Sequence, residues 1–167
     1  METDIASALR TAGFALAHGI GSIERGGVLC TLAVVQPDDR QRVDLYRYEA
    51  RSITEGLIGA RQDLEQRIGD GSHGALVYDG YITTTDHPRT DALLVDILGP
   101  GAVRLGRVIQ TYQSGRLLGL PVIGRRATVL DAPRFEEPME YPGAFGILMS
   151  GVMEHPDGAR LFPASST

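Results

Sequence analysis

The chain has 167 residues and a formal net charge of −5, and its 16 basic side chains are all arginine. Its length and its 43% apolar share predict one globular domain over 1–162, followed by a frayed tail at 163–167. The negative charge disfavours nucleic-acid binding, and the lack of lysine excludes Schiff-base, lysine-held pyridoxal phosphate and P-loop chemistry.

The apolar runs of the chain are short. The longest, 28–35 and 92–98, fall well below the roughly 20 residues that span a bilayer, so we expect no membrane association. Glu2 and Asp4 stand where a signal peptide carries basic residues, which predicts a cytoplasmic protein. The single cysteine, Cys30, cannot form an internal disulfide, in agreement with a reducing compartment.

The first segment carries conflicting signals. Four apolar residues follow helical spacing and predict a short N-terminal helix: Ile5, Ala8, Leu9 and Ala12. Gly13 is expected to end this helix. Segment 14–23 fits either more helix or a strand, and we favour the strand because Gly19 and Gly21 would each cost a helix about 1 kcal/mol.

Two strands and a capped helix are predicted next. Segment 28–36 is nearly all apolar, which is typical of a strand buried on both faces, and 41–48 alternates imperfectly as a second strand. Ser52 and Glu55 have the spacing of a capping box and open an apolar stripe at helical spacing. We therefore predict a helix over 52–69 that Gly69 closes in the left-handed conformation.

Three apolar runs separated by polar turns fill residues 75–112, the pattern of an antiparallel β-meander. Pro121 marks the following run as an edge strand or a bulge, and 144–153 is either a strand or a short helix. Hairpin-linked strands with few helices predict an α+β domain. Its mainly antiparallel sheet is expected to be packed by the capped helix and by the short N-terminal helix.

Neither metal nor cofactor chemistry is predicted. None of the four histidines lies near another histidine or cysteine along the chain: His18, His73, His87 and His155. The polar cluster 86–91 has groups for a divalent ion or for acid–base work, but a polar hairpin loop is the simpler interpretation. Ser150 lacks the G-x-S-x-G context of a hydrolase nucleophile.

The first functional hypothesis is a non-catalytic, soluble, bacterial-type domain that binds another protein or itself as a homodimer. Tyrosine and arginine are favoured at protein interfaces, and the meander carries Tyr78 and Tyr112 close to Arg107. Phe145 opens the apolar run 145–153, which has the character needed to cover a partner's edge strand. Tyr78, Tyr112 and Phe145 are therefore the predicted interface residues.

The second hypothesis is a small-molecule-binding protein or an enzyme with a polar cleft between the sheet and helix 52–69. Aspartates inside strands are unfavourable unless they face solvent, pair with arginine or line a pocket. The predicted ligand-binding residues are Asp79, Tyr81, Asp96, Arg104 and Arg107. Simple cross-strand Asp–Arg pairs are the structural alternative.

Overall fold

The computed structural model describes residues 2–26, 29–37, 42–83, 85, 89–114, 116–117, 120–121 and 127–162. The four helices of these ranges are α1 (Glu2–Glu24), α2 (Ile53–Arg67), α3 (Ala144–Glu154) and α4 (Gly158–Leu161). The long strands are β1 (Thr31–Gln36), β2 (Asp44–Tyr48), β3 (His73–Ile82), β4 (Thr90–Leu98) and β5 (Arg104–Gln113). Four two-residue strands follow: β6 (Arg116–Leu117), β7 (Leu120–Pro121), β8 (Thr128–Val129) and β9 (Arg134–Phe135).

The main sheet is antiparallel and has the order β2-β1-β3-β4-β5-β8, with β9 also pairing with β5. Strands β3, β4 and β5 form the predicted meander, so the α+β prediction is confirmed. Strand β1 lies between β2 and β3 and is almost fully buried, as its apolar sequence predicted. Pro121 lies in β7, which pairs with β6 outside the main sheet.

The two faces of the sheet carry different helices. Helix α1 lies across β1, β3 and β4, on what we call the α1 face, and α3 packs onto α1. Helix α2 covers part of the opposite face, the α2 face. Because side chains alternate along a strand, Val77 and Val95 pack beneath α1, whereas Leu76 and Leu98 pack beneath α2. Within the described ranges, none of the helices combines the length and apolar character needed to cross a bilayer.

The prediction of a short N-terminal helix that ends at Gly13 is wrong. Helix α1 runs on through segment 14–23 to Glu24, so that segment is helical and not a strand. Leu9, Leu16 and Ile20 recur at helical spacing and are fully buried in the core. Burial of this apolar side outweighs the low helix propensity of the glycines, because packing supplies most of the stability of a helix in a protein.

The glycines of α1 allow close packing. A Cβ atom on Gly13 would overlap the carbonyl oxygen of Leu148 in α3, and one on Gly151 would overlap the carbonyl oxygen of Arg10 in α1. Each helix therefore presents a glycine to the backbone of the other. The two helix backbones approach more closely than any larger residue at these positions permits.

The capped helix is confirmed as α2, with the Ser52 hydroxyl accepting the N–H of Glu55 at 3.2 Å. Its predicted left-handed end is wrong: the helix ends in an extended residue, Ile68, and the first left-handed glycine after it is Gly71 (φ 84°). Segment 144–153, for which the sequence allows either a strand or a short helix, is helical and lies in α3. The predicted tail at 163–167 lies outside the described residues.

We expect the substitution Gly13→Ala to destabilise the protein. The added methyl group forces α1 and α3 apart, which we expect to lower the free energy of unfolding by about 2–3 kcal/mol. Gly59→Ala is the matched control, because a Cβ at this position of α2 meets nothing within 4 Å. It should raise the free energy of unfolding by about 0.5–1 kcal/mol through helix propensity. Urea denaturation measures both, and a Gly13→Ala variant as stable as the parent chain contradicts the close crossing.

Candidate functional site

A cleft of about 240 Å³ lies between α2 and the α2 face of the sheet. It combines an apolar wall with a charged mouth. The apolar wall consists of Leu64, Leu76, Leu98 and Ala102, and the charged residues are Arg61, Glu65, Asp96 and Arg104. The cleft is smaller than the roughly 300–1,000 Å³ of sites for drug-sized ligands, so it fits a small molecule.

The carboxylate of Asp96 is the centre of this cleft. Its side chain is only 2% exposed, and its Oδ1 accepts the Nε–H of Arg107 at 2.6 Å. Its Oδ2 accepts the Tyr78 hydroxyl at 3.5 Å, while burial and the charge of Asp96 raise the pKa of that hydroxyl. Arg107 also contacts Glu136 at 3.3 Å. A buried carboxylate is tolerated only with such partners, so Asp96 and Arg107 form one buried unit.

Two further arginines lie near the same carboxylate, at distances longer than a hydrogen bond. The Nη2 atom of Arg61 lies 3.6 Å from Oδ2 of Asp96, and the Nη1 atom of Arg104 lies 4.0 Å from Oδ1. Their side chains are 57% and 52% exposed. Among the described residues, Asp96 is the one carboxylate that comes within 4 Å of either guanidinium. Most of their N–H donors are thus available to a ligand at the mouth of the cleft.

An irregularity in the sheet brings Arg104 to this face. In a regular strand, Arg104 and Arg107 would point to opposite faces, because they are three residues apart. A register shift pairs Ile97 with Gly106 but Leu98 with Arg104, which places Arg104 on the α2 face. Bulges of this kind occur often beside functional sites, where they re-aim a side chain.

The turn before β5 is also unusual. It is a short 3-10 turn, Pro100–Ala102, in which Gly101 (φ 66°) and Ala102 (φ 58°) are both left-handed. Among the described residues, Ala102 is the one non-glycine residue with positive φ, a conformation that costs roughly 1–2 kcal/mol for an L-residue. Because Ala102 lines the cleft, this strained position helps to form the wall of the site.

The structure brings together only some of the predicted ligand-binding residues. Asp96, Arg104 and Arg107 meet on the α2 face, and the register places Asp96 directly opposite Arg107, as the cross-strand interpretation required. Asp79 and Tyr81 lie on the α1 face, because they are an odd number of residues from the cleft-lining Leu76. They take no part in this cleft.

Asp79 and Tyr81 have separate partners. The Tyr112 hydroxyl donates to Oδ1 of Asp79 at 2.6 Å. Burial raises the pKa of the Asp79 carboxyl, the hydrogen bond from Tyr112 opposes this, and the charge of Asp91 adds to the increase. Tyr81 is exposed, and the guanidinium of Arg89 lies 4.6 Å from the centre of its ring.

The sequence analysis missed Arg61, although a signal for it existed. Arg61 lies in α2 between Ala60 and Leu64, which are both fully buried against the sheet. A long side chain at such a position runs along the edge of the buried stripe and places its charge beside the sheet. The capped helix therefore contributes a cation to the cleft, although Arg61 lies outside the meander that carries the predicted ligand-binding residues.

The predicted interface aromatics differ in exposure. Tyr78 and Tyr112 are both buried, each 6% exposed, so they offer little surface to a partner. Phe145 is exposed on α3, as is Met153 two turns later. The interface role of all three residues stays a prediction, and Phe145 is the one of them that the fold leaves exposed.

The histidines are arranged in a way that the sequence did not indicate. His18 and His155 are 137 residues apart in the chain, but Nδ1 of His18 and Nε2 of His155 lie 3.3 Å apart. His73 is the first residue of β3 and is buried. Within the described residues, no group of three or more His, Cys, Asp or Glu side chains could hold a metal ion. Residues 86–88 of the polar cluster lie outside those residues.

No family model, no curated protein and no solved structure matches this chain.

We expect the ion pair of Asp96 and Arg107 to be far more important for stability than another pair of the same length. Arg107→Leu leaves a buried carboxylate without its closest cation, which should lower the free energy of unfolding by about 3 kcal/mol. Arg67 is the control, since its Nε also lies 2.6 Å from a carboxylate, that of Asp63, but both of these side chains are partly exposed, 41% and 31%. Arg67→Leu should lose only a small fraction as much stability. Denaturation curves at neutral pH compare the two, and equal losses would contradict the importance given to burial.

Proposed function

We propose that this protein binds a small monocarboxylate in the cleft between α2 and the sheet. One observation carries the proposal: a buried carboxylate, Asp96, holds two half-exposed guanidinium groups at the mouth of an apolar cleft. Apolar residues alone would pack α2 against the sheet at least as well as a buried ion pair does. The charges are better explained by recognition of a ligand than by stability.

The chemistry of the cleft favours a carboxylate with an apolar body. Guanidinium groups present paired N–H donors that match the two oxygens of a carboxylate. Behind Arg61 and Arg104 the wall is formed by three leucines and Ala102, which suit an aliphatic chain. Glu65 also lines the cleft, and its charge disfavours anions with more than one negative charge.

The proposed role is binding and not catalysis. Asp96 already accepts hydrogen bonds from Arg107 and Tyr78, so it is poorly placed to take a proton from a substrate. The described residues that line the cleft are leucine, alanine, arginine, aspartate and glutamate, a set without hydroxyl, thiol or imidazole groups. Such a lining supplies recognition but no activated nucleophile.

The proposal is tested by titrating the protein with straight-chain carboxylates from acetate to octanoate, followed by NMR chemical shifts and calorimetry. We expect saturable binding whose affinity rises about fourfold for each added methylene until the cleft is full, because a buried methylene contributes about 0.8 kcal/mol. The double variant Arg61→Gln/Arg104→Gln should weaken binding at least tenfold through the loss of charge-assisted hydrogen bonds.

Arg10→Gln is the matched control. The Arg10 side chain is 55% exposed and lies 3.4 Å from one carboxylate, Glu154, but it belongs to α1, on the other face of the sheet. Its removal should leave carboxylate affinity unchanged. The proposal fails if no carboxylate saturates, if inorganic phosphate binds more tightly than hexanoate, or if the Arg10 variant loses as much affinity as the double variant.

Self-association is a second proposal, and the exposed side of α3 favours it. Phe145, Met149 and Met153 recur every four residues along one side of the helix, where Met149 between them is partly buried against the core. Phe145 and Met153 are each close to half exposed. Exposed aromatic and methionine side chains in one stripe are typical of protein interfaces.

We expect light scattering and native mass spectrometry to detect a homodimer that Phe145→Asp converts to a monomer, because a buried carboxylate without a partner disfavours association. Tyr81→Asp is the control, since Tyr81 is an aromatic residue of the sheet that is more exposed than Phe145, 58% against 46%. It should leave the dimer intact. A parent chain that is monomeric at all concentrations tested removes this proposal and leaves the carboxylate proposal unaffected.

A further inference from the structure

Two histidines from opposite ends of the described chain are in contact beneath the last helix. His18 lies in α1, and His155 follows α3 as its C-terminal capping residue. Nδ1 of His18 and Nε2 of His155 are 3.3 Å apart, and the two rings meet edge to face. The ring of Phe14, one turn before His18, also packs edge-on against His155. His155 is buried and His18 is partly buried.

The surrounding hydrogen bonds decide which nitrogen carries each proton. The backbone N–H of Asp157 donates to Nδ1 of His155 at 3.1 Å, so this nitrogen must hold a lone pair. The proton of neutral His155 is then on Nε2, which donates to Nδ1 of His18. The proton of neutral His18 is in turn on its Nε2, a buried nitrogen without a hydrogen-bond partner among the described residues.

This chain of donors works only while both rings are neutral. A proton on Nδ1 of His155 would face the N–H of Asp157, and a proton on Nδ1 of His18 would face the N–H of His155. Either protonation places two donors against each other and removes one hydrogen bond. Protonation of either ring therefore costs one hydrogen bond: the one from Asp157 when His155 is protonated, and the one between the two rings when His18 is protonated.

The charged groups around the pair also oppose a further positive charge. Arg25, just after α1, and Arg47 of β2 both act on His18 as cations. Asp157 is the facing anion, but its carboxylate is already contacted by Arg25 at 3.3 Å and by Arg160 of α4 at 3.7 Å. Asp157 is thus largely compensated by arginines before any histidine is protonated.

We propose that His18 and His155 form an acid-sensitive latch that holds segment 155–162 against α1 and releases it when either ring is protonated. The segment contains α4, and two of its side chains, Leu161 at the end of α4 and Phe162 after it, pack against the main core. Besides the latch, it is tied to α1 by the exposed ion pair of Arg160 with Glu24 at 2.6 Å. Loss of the buried contact leaves the packing of these two partly exposed side chains and surface ion pairs, which contribute little.

The direction of the pH effect follows from proton linkage. Burial, followed by His155 and the neighbouring arginines, lowers the pKa of His18 below 6.5, and burial also lowers the pKa of His155 against the opposing charge of Asp157. Below pH 6.5 the released state binds protons that the latched state does not bind. The latch is therefore at full strength above pH 6.5 and weakens as the pH falls.

Two measurements on the unmodified protein test the latch. At pH 8, long-range ¹H–¹⁵N NMR spectra should show both imidazoles protonated at Nε2 alone. Hydrogen exchange of the backbone amides of Arg160, Leu161 and Phe162, corrected for intrinsic rates, should lose up to about tenfold protection for each pH unit below 6.5. A His155 ring protonated at Nδ1, or protection independent of pH between 7.5 and 5.5, would overturn the proposal.

A variant separates the latch from general acid sensitivity. His18→Asn places an amide oxygen near the position of Nδ1, so it keeps an acceptor for His155 but cannot be protonated there. In this variant, the loss of exchange protection per pH unit in segment 155–162 should be at least threefold smaller than in the parent chain. His73→Asn, which removes a buried histidine from β3, should leave the dependence unchanged. Equal flattening by both variants contradicts the proposal, and the NMR result stands whether or not either variant folds.

Discussion

Burial of the Asp96 carboxylate constrains the chemistry of the whole α2 face. Asp96 stands in the middle of β4, between strands β3 and β5, and has almost no contact with water. A charge in such a place requires cations nearby, and they come from α2 and from two positions of β5. The bulge places Arg104 on the α2 face, and the strained Ala102 stands in the turn just before that strand. Both features help to bring a cation close to Asp96. The positions of the cations that line the cleft are therefore set by one residue, Asp96.

The full length of the N-terminal helix could not be predicted from local helix propensity alone. Glycine lowers the stability of an isolated helix, and the three glycines between residues 13 and 21 made a strand the favoured interpretation. In the folded protein, Gly13 lies against the backbone of α3 and Gly19 lies against Leu93 and Val77 of the sheet. The same residues that weaken the helix alone permit its closest contacts. Only knowledge of the neighbouring elements distinguishes these two effects.

The prediction of the meander, of the capped helix and of the α+β class succeeded because each depends on residues close together in the chain. Capping boxes and alternating apolar runs are local patterns. The candidate site was predicted only in part, since the partners of Asp96 depend on register and on a bulge that no local pattern reveals. Asp79 was grouped with Asp96 by composition, although the register places the two on opposite faces. The contact of His18 with His155 required the full length of α1 and the helical state of α3, and both were unknown from the sequence.

The crossing of α1 and α3 also affects how the chain folds as it is made. Synthesis runs from the N-terminus, so the side of α1 that lies against α3 is complete long before Leu148 and Gly151 exist. Contacts between such distant segments form late and slow folding, since a large loop must be closed first. Until α3 emerges from the ribosome, this apolar side of α1 has no cover from its final partner. The nascent chain is therefore exposed to aggregation and to chaperone binding along this side of α1 until α3 has been made.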